Sequence, residues 1–137
     1  MWLLASAYEQ KGELGKAIDE QEKQAIFFGE DPQKANQEFN ALRRDLAEHG
    51  ERGYWLNKEK SAGQGDPFRL AIVQAHLGEP KDMYASLEKA YAVRSRELLY
   101  SITNEPALDR YRTEQRFRDL TDRMGFKQSG PSELRGL

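Results

Sequence analysis

The chain has 137 residues, 38% of them hydrophobic and 32% charged, no cysteine and a formal net charge of −2, which suits one domain or a short stack of helical pairs. The composition excludes disulfides, a thiol nucleophile and Cys-ligated zinc. It offers no apolar run near the roughly 18–20 residues that cross a bilayer, and no bulk positive charge for a nucleic-acid backbone.

Glu, Gln, Lys, Arg, Ala and Leu dominate the stretches between glycines. That mix favours helix, and β-branched alternation is scarce, so the predicted fold class is all-α. A first helix covers Trp2 to Gln10, with Trp2, Leu4, Ala5 and Tyr8 on its apolar face, and Gly12 ends it. A second runs from near Leu14 to about Phe28 with Ala17, Ile18, Gln21 and Ala25 inward, and Gly29 suits the left-handed position past a helix end. Asp31-Pro32 reads as a cap and first-turn proline for a third helix reaching about His49, where Phe39, Leu42 and Leu46 recur at three and four.

Gly50 and Gly53 interrupt that pattern. Tyr54, Trp55, Lys58 and Ala62 mark a fourth helix, which fades into the loop Ser61-Ala62-Gly63-Gln64-Gly65. Asp66-Pro67 opens a fifth helix with Leu70, Ala71, Val73 and Leu77 inward. After the turn Gly78-Glu79-Pro80, a sixth places Met83, Leu87, Ala90 and Tyr91 on one side. Arg94 to Ser101 predicts an irregular turn leading to a short helix at 98–102. The last helices fall near 106–112 and 114–124, with Phe117, Leu120 and Met124 repeating at three and four. From Lys127 the chain is rich in Ser, Gly and Pro, and a loose tail is expected.

Two stretches share one spacing: Leu4-Ala5, Tyr8, Gly12 and Ala17, and then Leu70-Ala71, Gln74, Gly78, Met83, Leu87 and Ala90, 66 positions later. A degenerate copy, Leu42, Leu46, Gly50, Trp55 and Ala62, lies between them. In this the chain resembles the tetratricopeptide repeat family, whose period is about 34 residues. It departs from the family pattern at Gln74, where Tyr is usual, at Met83, where a small residue is usual, and at Gln21 and Gln24, where an aromatic residue and Ala are usual. The segment from Asn104 to Phe126 is similar to the closing part of bacterial tetratricopeptide arrays that follow a winged-helix regulator, a cyclase or a Ser/Thr kinase domain.

The resemblance implies antiparallel helical hairpins stacked as a right-handed superhelix, with repeats over 1–30, 31–65 and 66–95 and closing helices over 98–126. These form one domain, 1–126, followed by a flexible tail, 127–137. It implies a non-enzymatic protein-interaction or scaffolding module, the regulatory part of a larger signalling or transcription protein, in a cytoplasmic setting. The apolar opening Trp2, Leu3, Leu4 predicts either a preceding repeat or a homodimer through that end.

No residue pattern assigns catalysis, a cofactor or a metal. His49 and His76 stand 27 positions apart without a metal-ligand neighbour, each in the last turn of a helix where its ring meets free carbonyls. The carboxylates near the start, such as Glu9, Glu13, Asp19, Glu20 and Glu22, alternate with Lys11, Lys16 and Lys23 as a solvated helix surface does. Gly63-Gln64-Gly65 lacks the continuation of a phosphate-binding loop, and Ser61, Ser95 and Ser101 are turn serines outside any nucleophile elbow.

Partner contact is expected on the outward residues of the first helix of each pair: Tyr8, Gln10, Asn36, Asn40, Arg43, Arg44 and Gln74. Arg43 and Arg44 read as ordinary solvated arginines, with a clamp on a partner carboxylate as the alternative. Most aromatic residues should pack between helices, with Tyr54 and Tyr84 the least explained by core periodicity. One alternative is a small-molecule-sensing domain with a pocket between the stack and the C-terminal helices. A nucleic-acid-binding solenoid rests only on Arg110, Arg112, Arg116, Arg118 and Arg123, offset by Asp109, Glu114, Asp119 and Asp122.

Overall fold

The chain is described from a computed structural model over residues 2–63 and 65–125, without the side chains of Trp2 and Leu3. The expected tail, 127–137, lies outside the described residues. Every regular element among those residues is helical: α1 Trp2–Lys11, α2 Leu14–Phe27, α3 Pro32–Ala62, α4 Pro67–Leu77, α5 Pro80–Ala92, α6 Arg96–Ser101, a 3-10 helix Pro106–Tyr111, and α7 Gln115–Arg123. The protein is all-α, with packing between neighbouring helices. The chain divides into two compact units, Met1–Lys60 and Ser61–Leu137.

In the first unit α1 packs on α2. The turn between them is set by Gly12 at φ 79°. There the Gly12 N–H donates to the Glu9 carbonyl at 3.1 Å and the Glu13 N–H to the Tyr8 carbonyl at 2.9 Å. This pair of reversed bonds closes a helix on a left-handed residue, a conformation glycine adopts without steric cost. Asp31 opens α3 by accepting from the Lys34 N–H at 3.0 Å.

α3 is two helical segments joined at Gly50, whose φ of 69° and ψ of −156° are non-helical. In a straight helix residues 45 and 57 would stand about 18 Å apart. Here Asn57 Nδ2 donates to Asp45 Oδ2 at 2.7 Å, so the second segment folds back on the first. The buried set of this unit is Ala5, Leu14, Ala17, Ile18, Ala35, Leu42, Tyr54 and Trp55, with the polar Gln24 among them.

The second unit repeats the hairpin. α4 packs on α5, and α6 packs on both. The Gly78 N–H donates to the Ala75 carbonyl at 3.2 Å and the Glu79 N–H to the Gln74 carbonyl at 3.0 Å, with Gly78 at φ 71°. These are the α1–α2 turn bonds 66 positions later. Asp66 caps α4 by accepting from the Phe68 N–H at 2.8 Å. It also accepts from Ser95 Oγ at 2.9 Å, while Ser95 caps α6 by accepting from the Leu98 N–H at 3.2 Å. Two helix starts are thus joined through their capping side chains.

One continuous core fills this unit: Phe68, Ala71, Ala75, Met83, Tyr84, Leu87, Ala90, Leu98, Ile102, Leu108, Tyr111, Phe117 and Leu120. Each large side chain buried there contributes about 1.5–3 kcal/mol relative to exposure. The segment expected to be an irregular turn followed by a short helix is Val93-Arg94 and then α6. The helix expected at 106–112 is a 3-10 turn.

Candidate interaction surface

The polar residues expected to line a groove fall into three settings. Asn36, Asn40 and Arg43 form one network on the surface shared by α2 and α3. Arg43 Nη2 donates to Asp19 Oδ1 at 2.9 Å and to Glu22 Oε1 at 2.6 Å, and Arg43 Nη1 donates to Asn40 Oδ1 at 2.8 Å. Asn40 Nδ2 donates to Asn36 Oδ1 at 2.9 Å, and Asn36 Nδ2 to Glu22 Oε2 at 3.3 Å. Burial alone would lower the guanidinium pKa of Arg43, but its bonds to Glu22 and Asp19 outweigh that and raise it. Arg43 therefore clamps two carboxylates of its own chain.

Arg44, the other half of the alternative clamp, is exposed, as is Gln10. Tyr8 is half-buried under Lys16, whose Nζ lies 5.8 Å from the ring centre. Gln74 is apart from all of these. It is 7% exposed and its Oε1 accepts from Ser86 Oγ at 2.6 Å, because it lies one turn on from the buried Ala71, on the side of α4 that faces α5. Of the apolar opening, Leu4 is 42% exposed, while the side chains of Trp2 and Leu3 lie outside the described residues.

The two tyrosines that periodicity left unexplained are buried, and both bond a carboxylate. Tyr54 OH donates to Glu9 Oε2 at 2.6 Å and accepts from Gln21 Nε2 at 2.8 Å, and Lys58 donates in turn to Gln21 Oε1. This chain of bonds ties α1, α2 and the second segment of α3. Trp55 meets the Tyr54 ring edge-on at 4.8 Å. In the second unit Tyr84 OH donates to Glu114 Oε1 at 2.5 Å, under the Arg116 guanidinium, 4.6 Å from its ring. Burial, then the adjoining carboxylate, pushes both phenol pKa values well above the ordinary range.

The C-terminal arginines are engaged with their own unit. Arg112 holds the carbonyls of Ile102 and Glu105 at 2.7 and 2.8 Å and the Asp109 carboxylate at 2.8 Å. Arg118 holds the Thr113 carbonyl at 2.6 Å, and Arg123 pairs with Glu88. Arg110 lies over Tyr111 at 5.4 Å.

The largest features that the sequence reading missed are apolar and exposed. Phe27 and Phe28, at the end of α2, are 72% and 78% exposed, with Ile26 beside them. Their rings meet edge to face at 5.2 Å. Tyr100, Leu99 and Val93 are the exposed apolar residues of the second unit's α5–α6 region. A signal was present for Phe27, which lies off the inward face drawn through Ala17, Ile18, Gln21 and Ala25, but not for Phe28, which continues that face three positions past Ala25 and is exposed because the helix ends there.

An open depression of about 470 Å³ lies beside the α1–α2 turn, lined by Gly12, Glu13, Leu14, Gly15, Lys16, Leu46 and Glu51. Among the described residues no group of three or more His, Asp or Glu could hold a metal ion, and no helix is long and apolar enough to cross a membrane. His49 and His76 are both exposed. No protein-family model, no curated protein and no solved structure matches the chain.

Proposed function

We propose that this protein is a non-enzymatic interaction module built from tetratricopeptide-like helical hairpins, and that it holds a protein partner. The observation that carries this reading is the recurrence of one hairpin, α1–α2 and α4–α5, with the same pair of turn-closing bonds 66 positions apart. A single hairpin leaves an apolar face uncovered, and stacked copies cover it while presenting extended surfaces to partners. The right-handed superhelix and the self-association expected from the N-terminal end belong to the same proposal. Its surface supports a binding role: large apolar side chains stand exposed in both units, and such patches mark contact sites.

Affinity capture from extract of the source cells, quantified against a Phe27→Ser/Phe28→Ser variant, tests the reading. A protein retained in near-equal amount by the wild type and depleted with an altered surface is the expected result. A saturable thermal shift with one metabolite, and no retained protein, would replace it with a sensor.

A further inference from the structure

We infer that Gly50 is a hinge through which two copies of the chain exchange the second segment of α3, giving a two-fold dimer in which each α3 is one straight helix. The inference stands apart from the interaction-module reading and does not depend on it. Among the described residues of Pro32–Ala62, Gly50 alone has a non-helical backbone, at φ 69° and ψ −156°. That region is open to glycine and closed to nearly every other residue, and glycine reaches the helical region as well. The difference between a folded-back α3 and a straight one therefore lies in two dihedral angles of a residue that tolerates both. A connection this short, with helix on either side of it, is the kind that favours exchange between copies over closure within one.

The occupant follows from what straightening uncovers. Tyr54 and Trp55, both buried in the folded-back form, come into solvent. Tyr54 parts from Glu9 and Gln21, Lys58 from Gln21, and Asn57 from Asp45. The group that restores every one of these contacts is the same segment of a second copy. The pairing already has the symmetry that this needs. Asn57 bonds to Asp45 at 2.7 Å, and Gly53 runs so close that a β-carbon on it would collide with the Asp45 carbonyl. The two segments thus run back along each other about Gly50. Two straight helices laid antiparallel, with their Gly50 residues at the crossing, set residue 45 of each copy against residues 53 and 57 of the other. That is an isologous contact, in which every interaction occurs twice and no new surface is required. The second unit begins at Ser61 with a core of its own, so its packing is the same in either form.

The chain has no cysteine, so Asp45→Cys/Asn57→Cys gives a clean pair for a short bis-maleimide. In the folded-back monomer the reagent links the pair within one chain. In the exchanged dimer it links two chains, and denaturing electrophoresis separates the products. The cysteine-pair variant, unfolded in urea and refolded at low and at high protein concentration, should give covalent dimer that rises severalfold with concentration, above the level set by each single-cysteine variant. Adding Gly50→Ala should convert most of the protein to covalent dimer with unchanged helicity. Alanine cannot hold the folded-back φ and ψ, whereas its β-carbon meets nothing within 4 Å, so the effect is one of backbone and not of crowding. Two glycines inserted after Gly50 should restore linkage within the chain. Linkage only within chains at every concentration overturns the inference, whatever the alanine variant does. A Gly50→Ala chain that is a folded monomer, or that loses its helices, also overturns it, since exchange would have preserved them in a dimer. A dimer by light scattering whose cysteines link within each chain overturns it in favour of contact through the N-terminal end.

Discussion

Tyr54 and Tyr84 each bury a phenol and donate a hydrogen bond from it to a glutamate from a distant stretch of chain, Glu9 or Glu114. The neutral phenol is the favoured form in the fold, so both folded-state pKa values are raised above the ordinary 10.0. A raised folded pKa gives stability that is intact below the unfolded value of about 10 and is lost as pH climbs beyond it. Alkaline unfolding by circular dichroism should therefore begin above about pH 10, with these two tyrosinates appearing only as helicity falls. Tyr54→Phe/Tyr84→Phe should make that loss less steep. Titration of both phenols before any helix is lost would refute the burial argument. Periodicity could not reveal these partners, because it counts apolar positions and each glutamate lies 45 or 30 residues from its tyrosine. Arg94 makes a different residue-scale statement. It is the one non-glycine at positive φ among the described residues, at 56°, where the Ser95 N–H reaches back to the Ala90 carbonyl at 2.9 Å. Gly29 fills the matching place after α2. A side chain there costs about 1 kcal/mol or more, so Arg94→Gly should raise stability by about 1 kcal/mol in urea titration.

α3 shows how two glycines three residues apart divide one task. Gly50 supplies the positive φ that breaks the helix, and nothing would crowd a β-carbon there. Gly53 has a helical backbone, yet a β-carbon on it would collide with the Asp45 carbonyl and lie 2.7 Å from His49 Cβ. One glycine turns the chain and the other lets the two segments close on each other. In an open helix Gly→Ala stabilises by roughly 0.5–1 kcal/mol. Here the sign should reverse, with Gly53→Ala costing about 1–3 kcal/mol as overpacked sites do, read from the thermal midpoint; a stabilised variant would contradict the close approach. The sequence marked the place of this break, since glycines interrupt a three-and-four pattern. It did not tell the two roles apart, because that distinction depends on which backbone comes near. The paired caps at Asp66 and Ser95 were half legible in the same way: Asp66-Pro67 announces a helix start, but its bond to Ser95, 29 positions later, is a property of the packed unit. The binding residues were less legible still. Arg43 and Asn40 do share a surface as their spacing implies, but exposed polar residues look alike whether they await a partner or bond to Asp19 and Glu22.

At the scale of the molecule, the two units differ in what holds them. In Met1–Lys60 polar side chains join the hairpin to α3 beside the buried apolar ones: Arg43 to Asp19 and Glu22, and Tyr54 to Glu9 and Gln21. Gln24 is buried there with no hydrogen-bond partner for its Nε2 among the described residues, at a place where the second hairpin has Ala90. A buried unmet donor costs about 1–3 kcal/mol. In Ser61–Leu137 α4, α5, α6, the 3-10 helix and α7 all send large side chains into one cluster, from Phe68 to Leu120, and the capping pair and the Arg69–Glu97 fork bind α4 to α6 at 2.9 Å. A unit whose core lies wholly within its own stretch of chain should fold without the rest. A fragment of residues 61–137 is thus expected to keep a helical spectrum and unfold cooperatively, with a stability on the order of 3 kcal/mol, near the upper range for so small a core. A fragment of residues 1–60, resting on a smaller core and on polar bridges that compete with water, should melt broadly and at lower temperature. Slow amide exchange in the intact protein should follow the same order, with α4 and α5 the most protected. A fragment of residues 61–137 that melts without cooperativity would show that its core depends on the rest of the chain.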